Sequence, residues 1–255
     1  MPKASDLEDF RARLKSSTNL WGPLMTSRDP TFTETILQAS PDLIIADMEH
    51  SLIEVQHLQD MCMAAGHTPV LARMKGLEKN EIKKVLDTGV SGIIVPGIET
   101  AKDAEDVVAY SRFAPEGKRG AGPGRASGYG YGFGDYIRAR PVIIVQIETK
   151  PAFDNVEKIA SIKGLDGLFI GPFDLSIALQ IEYSWENSTF IAAIQRIKKA
   201  AVDHNLITGM YSPLSTELMT RTASENFSFM MLGMDREAMT GAYANAGKTL
   251  KTLKK

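Results

Sequence analysis

A single cysteine, Cys62, is all the thiol this 255-residue chain contains. One thiol can neither close a disulfide within the chain nor build a thiolate metal cluster. Cys62 lies in the apolar run Met61–Ala65 and reads as a small core residue. An excess of charge of one sign is lacking too. Twenty-nine Lys and Arg stand against 31 Asp and Glu, net −2, which is not the basic footprint of a nucleic-acid binder. The basic tail Lys248, Lys251, Lys254 and Lys255 is short and reads as a solvated helix end. No apolar run approaches the roughly 20 residues that a membrane span needs. Met1–Thr18 is charged and polar, without the apolar segment of a signal peptide. These absences make the cytoplasm the expected location, with neither nucleic acid nor membrane expected as a partner.

What the chain does have is 44% hydrophobic residues in a regular alternation. Eight short apolar runs are expected as strands: Trp21–Met25, Leu43–Asp47, Val70–Met74, Gly92–Pro96, Val142–Glu148, Gly167–Gly171, Leu206–Met210 and Phe229–Gly233. Each is continuous rather than alternating, as parallel strands buried on both faces are. Helical stretches fall between them at Glu54–Ala65, Asn80–Thr88, Ala101–Arg112, Asn155–Ser161 and Thr189–His204, and Arg236–Lys254 closes the chain as a helix. Eight βα units in this length are the size of a (β/α)8 barrel. An open doubly wound sheet would want a Gly-rich turn after its first strand, where Trp21–Pro30 offers only Gly22. With no linker and no break in composition, residues 1–255 are expected to form one α/β barrel domain.

One stretch breaks the rhythm. Residues 117–135 read GKRGAGPGRASGYGYGFGD, too far from a strand end to be a dinucleotide fingerprint. Two readings stay open: a plain connection, or an active-site lid in which Tyr129, Tyr131 and Phe133 cover a ligand and Arg119 or Arg125 meets an anion.

In a barrel, active-site groups project from the C-terminal ends of strands. Reading those ends gives Asp47, Glu49 and His50 after the second run, Arg73 on the third, Gln146 and Glu148 on the fifth, and Gly171, Pro172, Phe173 and Asp174 after the sixth. Unpaired buried charge is costly, so a converging set of acids, an arginine and a histidine points to a site. Glu148 and Asp174 would supply the oxygen ligands with which Mg²⁺ or Mn²⁺ is held, although arginine pairs on the rim would also place acids there. His50 near Asp47 suggests a general-base dyad, against the alternative of a hydrogen-bonded core histidine. Arg73 can meet a carboxylate or a developing oxyanion. Lys75 and Lys150 raise a Schiff-base aldolase, but each follows its strand and reads as a rim lysine. His57, His67 and His204 read as structural or exposed.

Several segments in order carry a likeness: IIADMEH (Ile44–His50), PVLAR (Pro69–Arg73), VLDTGVSGIIVPGIET (Val85–Thr100), KRGAGPGRAS (Lys118–Ser127), VQIET (Val145–Thr149) and DGLFIGPFDLS (Asp166–Ser176). In these the chain resembles the HpcH/HpaI aldolase family, the class II pyruvate-dependent aldolases. The resemblance implies a (β/α)8 TIM barrel of the phosphoenolpyruvate/pyruvate type. Its last helix would be swapped between subunits of a homo-oligomer, commonly a hexamer built as a trimer of dimers. It implies a divalent cofactor (Mg²⁺ or Mn²⁺, with Co²⁺ or Zn²⁺ as alternatives) on Glu148 and Asp174, and His50 with Asp47 as the base dyad. Arg73 would be the substrate arginine and Gln146 would lie near pyruvate. Glu49 would stand behind the metal waters, and Asp87 near a neighbouring subunit's site. Gly171 to Asp174 would offer backbone amides to the pyruvate carboxylate. The expected reaction is reversible cleavage of a 4-hydroxy-2-oxo acid to pyruvate and an aldehyde through the pyruvate enolate. A citryl- or malyl-CoA lyase, an oxaloacetate decarboxylase and a non-catalytic scaffold barrel are the competing readings. Residues 128–134 are richer in Gly and Tyr than is usual in such aldolases, and no motif sets the aldehyde.

Overall fold

The computed structural model describes residues 2–253; Met1, Lys254 and Lys255, and with the last two the end of the expected C-terminal helix and half of its basic tail, lie outside the described residues, while Lys248 and Lys251 are exposed on that helix. Eight parallel strands close into a barrel in chain order. They are β1 (Leu20–Met25), β2 (Ile44–Asp47), β3 (Val70–Arg73), β4 (Gly92–Val95), β5 (Val142–Ile147), β6 (Gly167–Ile170), β7 (Ile207–Ser212) and β8 (Phe229–Met234). The helices are α1 (Ala4–Ser16), α2 (Pro30–Leu37), α3 (Val55–Ala64), α4 (Lys79–Asp87), α5 (Ala101–Ser111), α6 (Phe133–Arg138), α7 (Lys150–Asp154), α8 (Val156–Ala160), α9 (Pro172–Leu179), α10 (Ser188–Asp203), α11 (Thr216–Ala223) and α12 (Asp235–Leu253). Every expected strand is present, and β1 pairs with β8 as well as with β2, so the sheet has no open edge. None of the described helices is long and apolar enough to cross a membrane.

Two apolar layers form, as a closed sheet with helices outside requires. Between strands and helices lie residues such as Ile44, Ile93, Val145, Ile170 and Ile194. Inside the barrel, Leu24, Ile45, Leu71, Ile94, Ile144, Phe169, Phe229 and Met231 fill the space. Phe169 and Phe229 stack there with centroids 5.8 Å apart. Gly209 is what lets them: a Cβ at that position would fall within the Phe229 ring.

The sequence reading missed α1, whose Leu7, Phe10 and Leu14 are buried. Phe10 and Leu14 join the inner cluster, so α1 plugs the N-terminal mouth of the barrel. Their spacing, three and then four residues apart, is the helical signal that was there to read.

The Gly-rich stretch has a definite place. α5 runs back to the N-terminal face of the barrel and β5 starts from that face, so the connection between them lies at the opposite end from the strand C-termini. The lid reading therefore fails for this chain's own barrel. Its arginines are not free for an anion either. Buried Arg119 pairs with Asp87 at 2.7 Å. Buried Arg125 donates to the Thr88 carbonyl (2.7 Å) and the Cys62 carbonyl (3.2 Å), capping the C-terminal ends of α4 and α3. Tyr129 and Tyr131 face outward.

Candidate active site

The C-terminal mouth of the barrel gathers the expected residues. β2 and β3 are in register at Asp47 and Arg73. That neighbourhood decides what Asp47 does. Its Oδ1 accepts from Arg73 Nε at 3.0 Å, and Arg73 Nη2 lies 2.9 Å from Oδ2. Oδ1 also accepts the backbone amides of Glu49 (3.1 Å) and His50 (3.2 Å), fixing the turn that leaves the strand.

The expected side-chain dyad is therefore not formed. Asp47 is fully buried and committed to Arg73, whose guanidinium reaches both of its oxygens from the adjacent strand in a two-point, charge-assisted contact. The His50 ring instead stands 62% exposed at the cavity, with Nε2 3.8 Å from Glu49 Oε1. Glu49 Oε2 lies 3.4 Å from Arg73 Nε. Burial pushes the Glu49 carboxyl up to about 7; Arg73 opposes this, and the nearby carboxylates of Glu148, Asp47 and Asp174 add to it. Four acids and one guanidinium thus share one small volume.

From β5, Gln146 and Glu148 enter the same region. Glu148 is buried; its Oε1 accepts the Gly97 amide at 3.0 Å and its Oε2 accepts from Gln146 Nε2. Gly171 lies against both, since a Cβ there would come within 3.2 Å of Gln146 Nε2 and of Glu148 Oε2. Asp174, in the first turn of α9, is exposed to the cavity. Of the expected backbone donors from Gly171 to Asp174, two are ruled out: Pro172 has no N–H, and the Gly171 amide donates to the Ile147 carbonyl at 3.4 Å. Phe173 and Asp174 are left, as first-turn amides without intrahelical partners.

A divalent ion fits this donor set. One buried carboxylate just after β5 and one exposed carboxylate in the helix turn after β6 leave room for water and substrate oxygens, the usual arrangement for Mg²⁺. Gln146 Oε1 and Glu49 Oε2 are buried without hydrogen-bond partners, the kind of atoms that metal-held water would satisfy. Among the described residues no three His, Cys, Asp or Glu side chains converge as a self-sufficient metal cage.

Asp87 is not part of this constellation. As the last residue of α4 it sits at the N-terminal face, held by Arg119 and by the Tyr136 hydroxyl at 2.7 Å. Lys75 pairs with Glu54 and Lys150 with Asp154 on the rim, as their position after the strands suggested. Four cavity residues escaped the sequence reading as site residues: Leu24 and Phe169, which lie within expected strands, and Tyr211 and Met234, which lie beyond them. The seventh and eighth strands were expected to end at Met210 and Gly233. They run on to Ser212 and Met234, which brings Tyr211 and Met234 to the mouth.

Comparison with known proteins agrees with this architecture. A family model described as HpcH/HpaI aldolase/citrate lyase matches residues 20–242. A hydroxypyruvate/pyruvate aldolase of Roseobacter denitrificans is 32% identical over 212 residues, 79% of this chain and 83% of the relative. A 5-keto-4-deoxy-D-glucarate aldolase of Klebsiella pneumoniae is 32% identical over 234 residues, 89% of this chain and 90% of the relative. Among solved structures, an HpcH/HpaI aldolase/citrate lyase family protein from Burkholderia cenocepacia superposes with a TM-score of 0.86 at 26% identity, covering 95% of this chain and 99% of that one.

Proposed function

This chain belongs to the HpcH/HpaI aldolase/citrate lyase family, and on that premise we propose that it is a divalent-metal-dependent aldolase. It reversibly cleaves a 4-hydroxy-2-oxo acid to pyruvate and an aldehyde. The observation that carries the reading is the cavity lined by His50, Arg73, Gln146, Gly171 and exposed Asp174 at the strand C-termini, with buried Glu148 directly against Gln146 and Gly171.

Glu148 and Asp174 would hold the ion, which would supply Lewis acidity to the keto group of pyruvate. The Phe173 and Asp174 amides receive the carboxylate at the α9 N-terminus. The His50 ring, open to the cavity, takes the proton from pyruvate C3. Arg73, held in place by Asp47, meets the charge that develops on the enolate oxygen. Asp47 is thus a positioning residue for Arg73 and for the turn that carries His50. Gln146 keeps Glu148 oriented.

The test is the methyl proton signal of pyruvate in D₂O with the full chain. Loss of that signal with Mn²⁺ or Mg²⁺ present, and its persistence with EDTA, is the expected result. Equal persistence with metal present refutes the reading.

Assembly belongs to the same proposal. α12 has no buried residue and exposes Met239, Tyr243, Leu250 and Leu253. An unpacked apolar stripe of this kind calls for a partner surface. We propose that α12 packs on a second copy of the chain, in a hexamer arranged as a trimer of dimers. Asp87 and Arg119 then lie at the face that approaches a neighbouring site.

A further inference from the structure

We infer that Tyr183 is a positioning residue for the first turn of α9: acting through Phe173, it holds in place the Phe173 and Asp174 amides and the Asp174 carboxylate. This rests on the aldolase reading above and deepens it, since those groups are the ones that would receive the pyruvate carboxylate and the ion. The turn is little fixed by its own helix. The Leu175 amide donates to the Gly171 carbonyl at 3.0 Å, the first intrahelical bond of α9. Phe173 and Asp174 precede it, so their amides lack intrahelical acceptors. The buried residues of α9 are Pro172, Leu175 and Ser176, whereas Phe173 and Asp174 are both exposed.

The segment after α9 supplies the hold. The chain reverses at Gln180, whose φ of +55° is left-handed, and the Ile181 amide donates back to the Ser176 carbonyl at 3.0 Å. The reversal returns residues 181–183 along the helix, so that the Tyr183 ring meets the Phe173 ring with centroids 4.5 Å apart. Phe173 also meets Tyr211, on β7, at 5.8 Å. Tyr183 is itself fixed. It lies edge-on to Phe190 of α10 at 5.3 Å, and Trp185 lies edge-on to the same ring at 5.2 Å. Phe190 is fully buried, and α10 packs on β6 and β7. A run of rings thus ties the exposed first turn of α9 to the barrel wall.

The ring of Tyr183 does this, not its hydroxyl. The hydroxyl is buried without a hydrogen-bond partner, a cost that the packing of the ring offsets. Phe173 lines the cavity and is 44% exposed, so its contacts with the two tyrosines weigh heavily in fixing it. Groups left loose bind a ligand less well, because part of the binding free energy goes into ordering them. Arg73 lies on β3 and His50 just after β2, outside this run of rings. Loss of the Tyr183 ring should therefore weaken the binding of ion and pyruvate more than it slows proton removal.

Tyr183→Leu and Tyr183→Phe in the full chain test this. Mn²⁺ affinity is read by electron paramagnetic resonance of the free ion, pyruvate affinity by calorimetry on the Mn²⁺-loaded chain, and turnover by deuterium exchange into pyruvate. Tyr183→Leu is expected to weaken both affinities by about three- to tenfold, the factor that one aromatic pair is worth. KM for pyruvate should rise with them, while kcat of the folded fraction stays within about twofold. Tyr183→Phe keeps the ring and should match the parent throughout. A merely structural role would lower the melting temperature and the folded fraction of Tyr183→Leu and leave both affinities and KM unmoved; that result overturns the inference. Equal losses in Tyr183→Phe and Tyr183→Leu overturn it too, since they place the effect in the hydroxyl. Should Tyr183→Leu fail to fold, Phe173→Leu removes the same ring contact and keeps the amide, with the same split expected and its absence counting equally against. A parent that binds Mn²⁺ but exchanges no deuterium overturns the aldolase reading alone, and the Mn²⁺ affinities of the variants then decide this inference. A parent that binds no Mn²⁺ overturns both.

Discussion

At the scale of single residues, the site turns on which carboxylate meets which base. Because Asp47 is bound to Arg73 and not to the His50 ring, the two substitutions Asp47→Asn and Arg73→Ala should be coupled. We expect Arg73→Ala and His50→Ala each to lower kcat by about 10²–10⁴. Asp47→Asn added to Arg73→Ala should cost little more, whereas Asp47→Asn added to His50→Ala should come close to multiplying. Steady-state kinetics of the single and double variants checks this, and the opposite pattern would restore the imidazole–Asp47 pair. Glu49 supports a second expectation. Its folded carboxyl is raised to about 7 from an ordinary 4.5. Between those values the folded state of the metal-free protein holds the proton more tightly than the unfolded state, so stability falls as pH rises through that window. Thermal melts in EDTA from pH 4.5 to 7.5 should show that decline, and Glu49→Gln should reduce it.

Single elements differ sharply in what they owe to the rest of the barrel. α12 buries nothing of its own, although Asp235 at its start accepts the Thr26 and Ser27 amides at 3.0 and 2.8 Å. A chain ended after Glu237 keeps that cap and should fold with a near-unchanged melting temperature in its monomeric form. It should also lose its assembly, as light scattering would register. Full-size assembly of the truncated chain would remove α12 from the proposed interface. β7 is the opposite case. A methyl group at Gly209 would enter the stacked Phe169–Phe229 pair. Gly209→Ala is therefore expected to destabilise by about 1–3 kcal/mol, the usual cost of overpacking, measurable by urea unfolding.

Across the whole molecule, chemistry and stability occupy opposite ends of the barrel. The C-terminal mouth holds the acids, Arg73 and His50. The N-terminal face holds a charge network around Asp166, which pairs with Arg112 at 3.0 Å and Arg11 at 2.8 Å and accepts the Ile143 amide at 2.9 Å. Burial draws the Arg112 guanidinium down to about 10, with Asp166 opposing. Asp166→Ala strands that buried cation and should cost about 3–5 kcal/mol of stability. Since the network lies far from the strand C-termini, kcat of the folded fraction should stay near that of the parent. A selective loss of kcat with stability intact would contradict this division.

The order of eight strands, their parallel burial and the acids at their ends were already determined by the linear chain, because continuous apolar runs broken by charge leave few other arrangements. The family likeness was also legible there, in the segments around Ile44–His50 and Asp166–Ser176. Three matters depended on the folded barrel. Asp47 turned to Arg73 because β2 and β3 are in register. The Gly-rich connection went to the far face because α5 reverses direction before β5 begins. Tyr211 and Met234 reached the cavity because β7 and β8 run one or two residues beyond their apolar cores. Each depends on contacts between segments distant in the chain, and no local pattern of residues records which neighbour a side chain will meet.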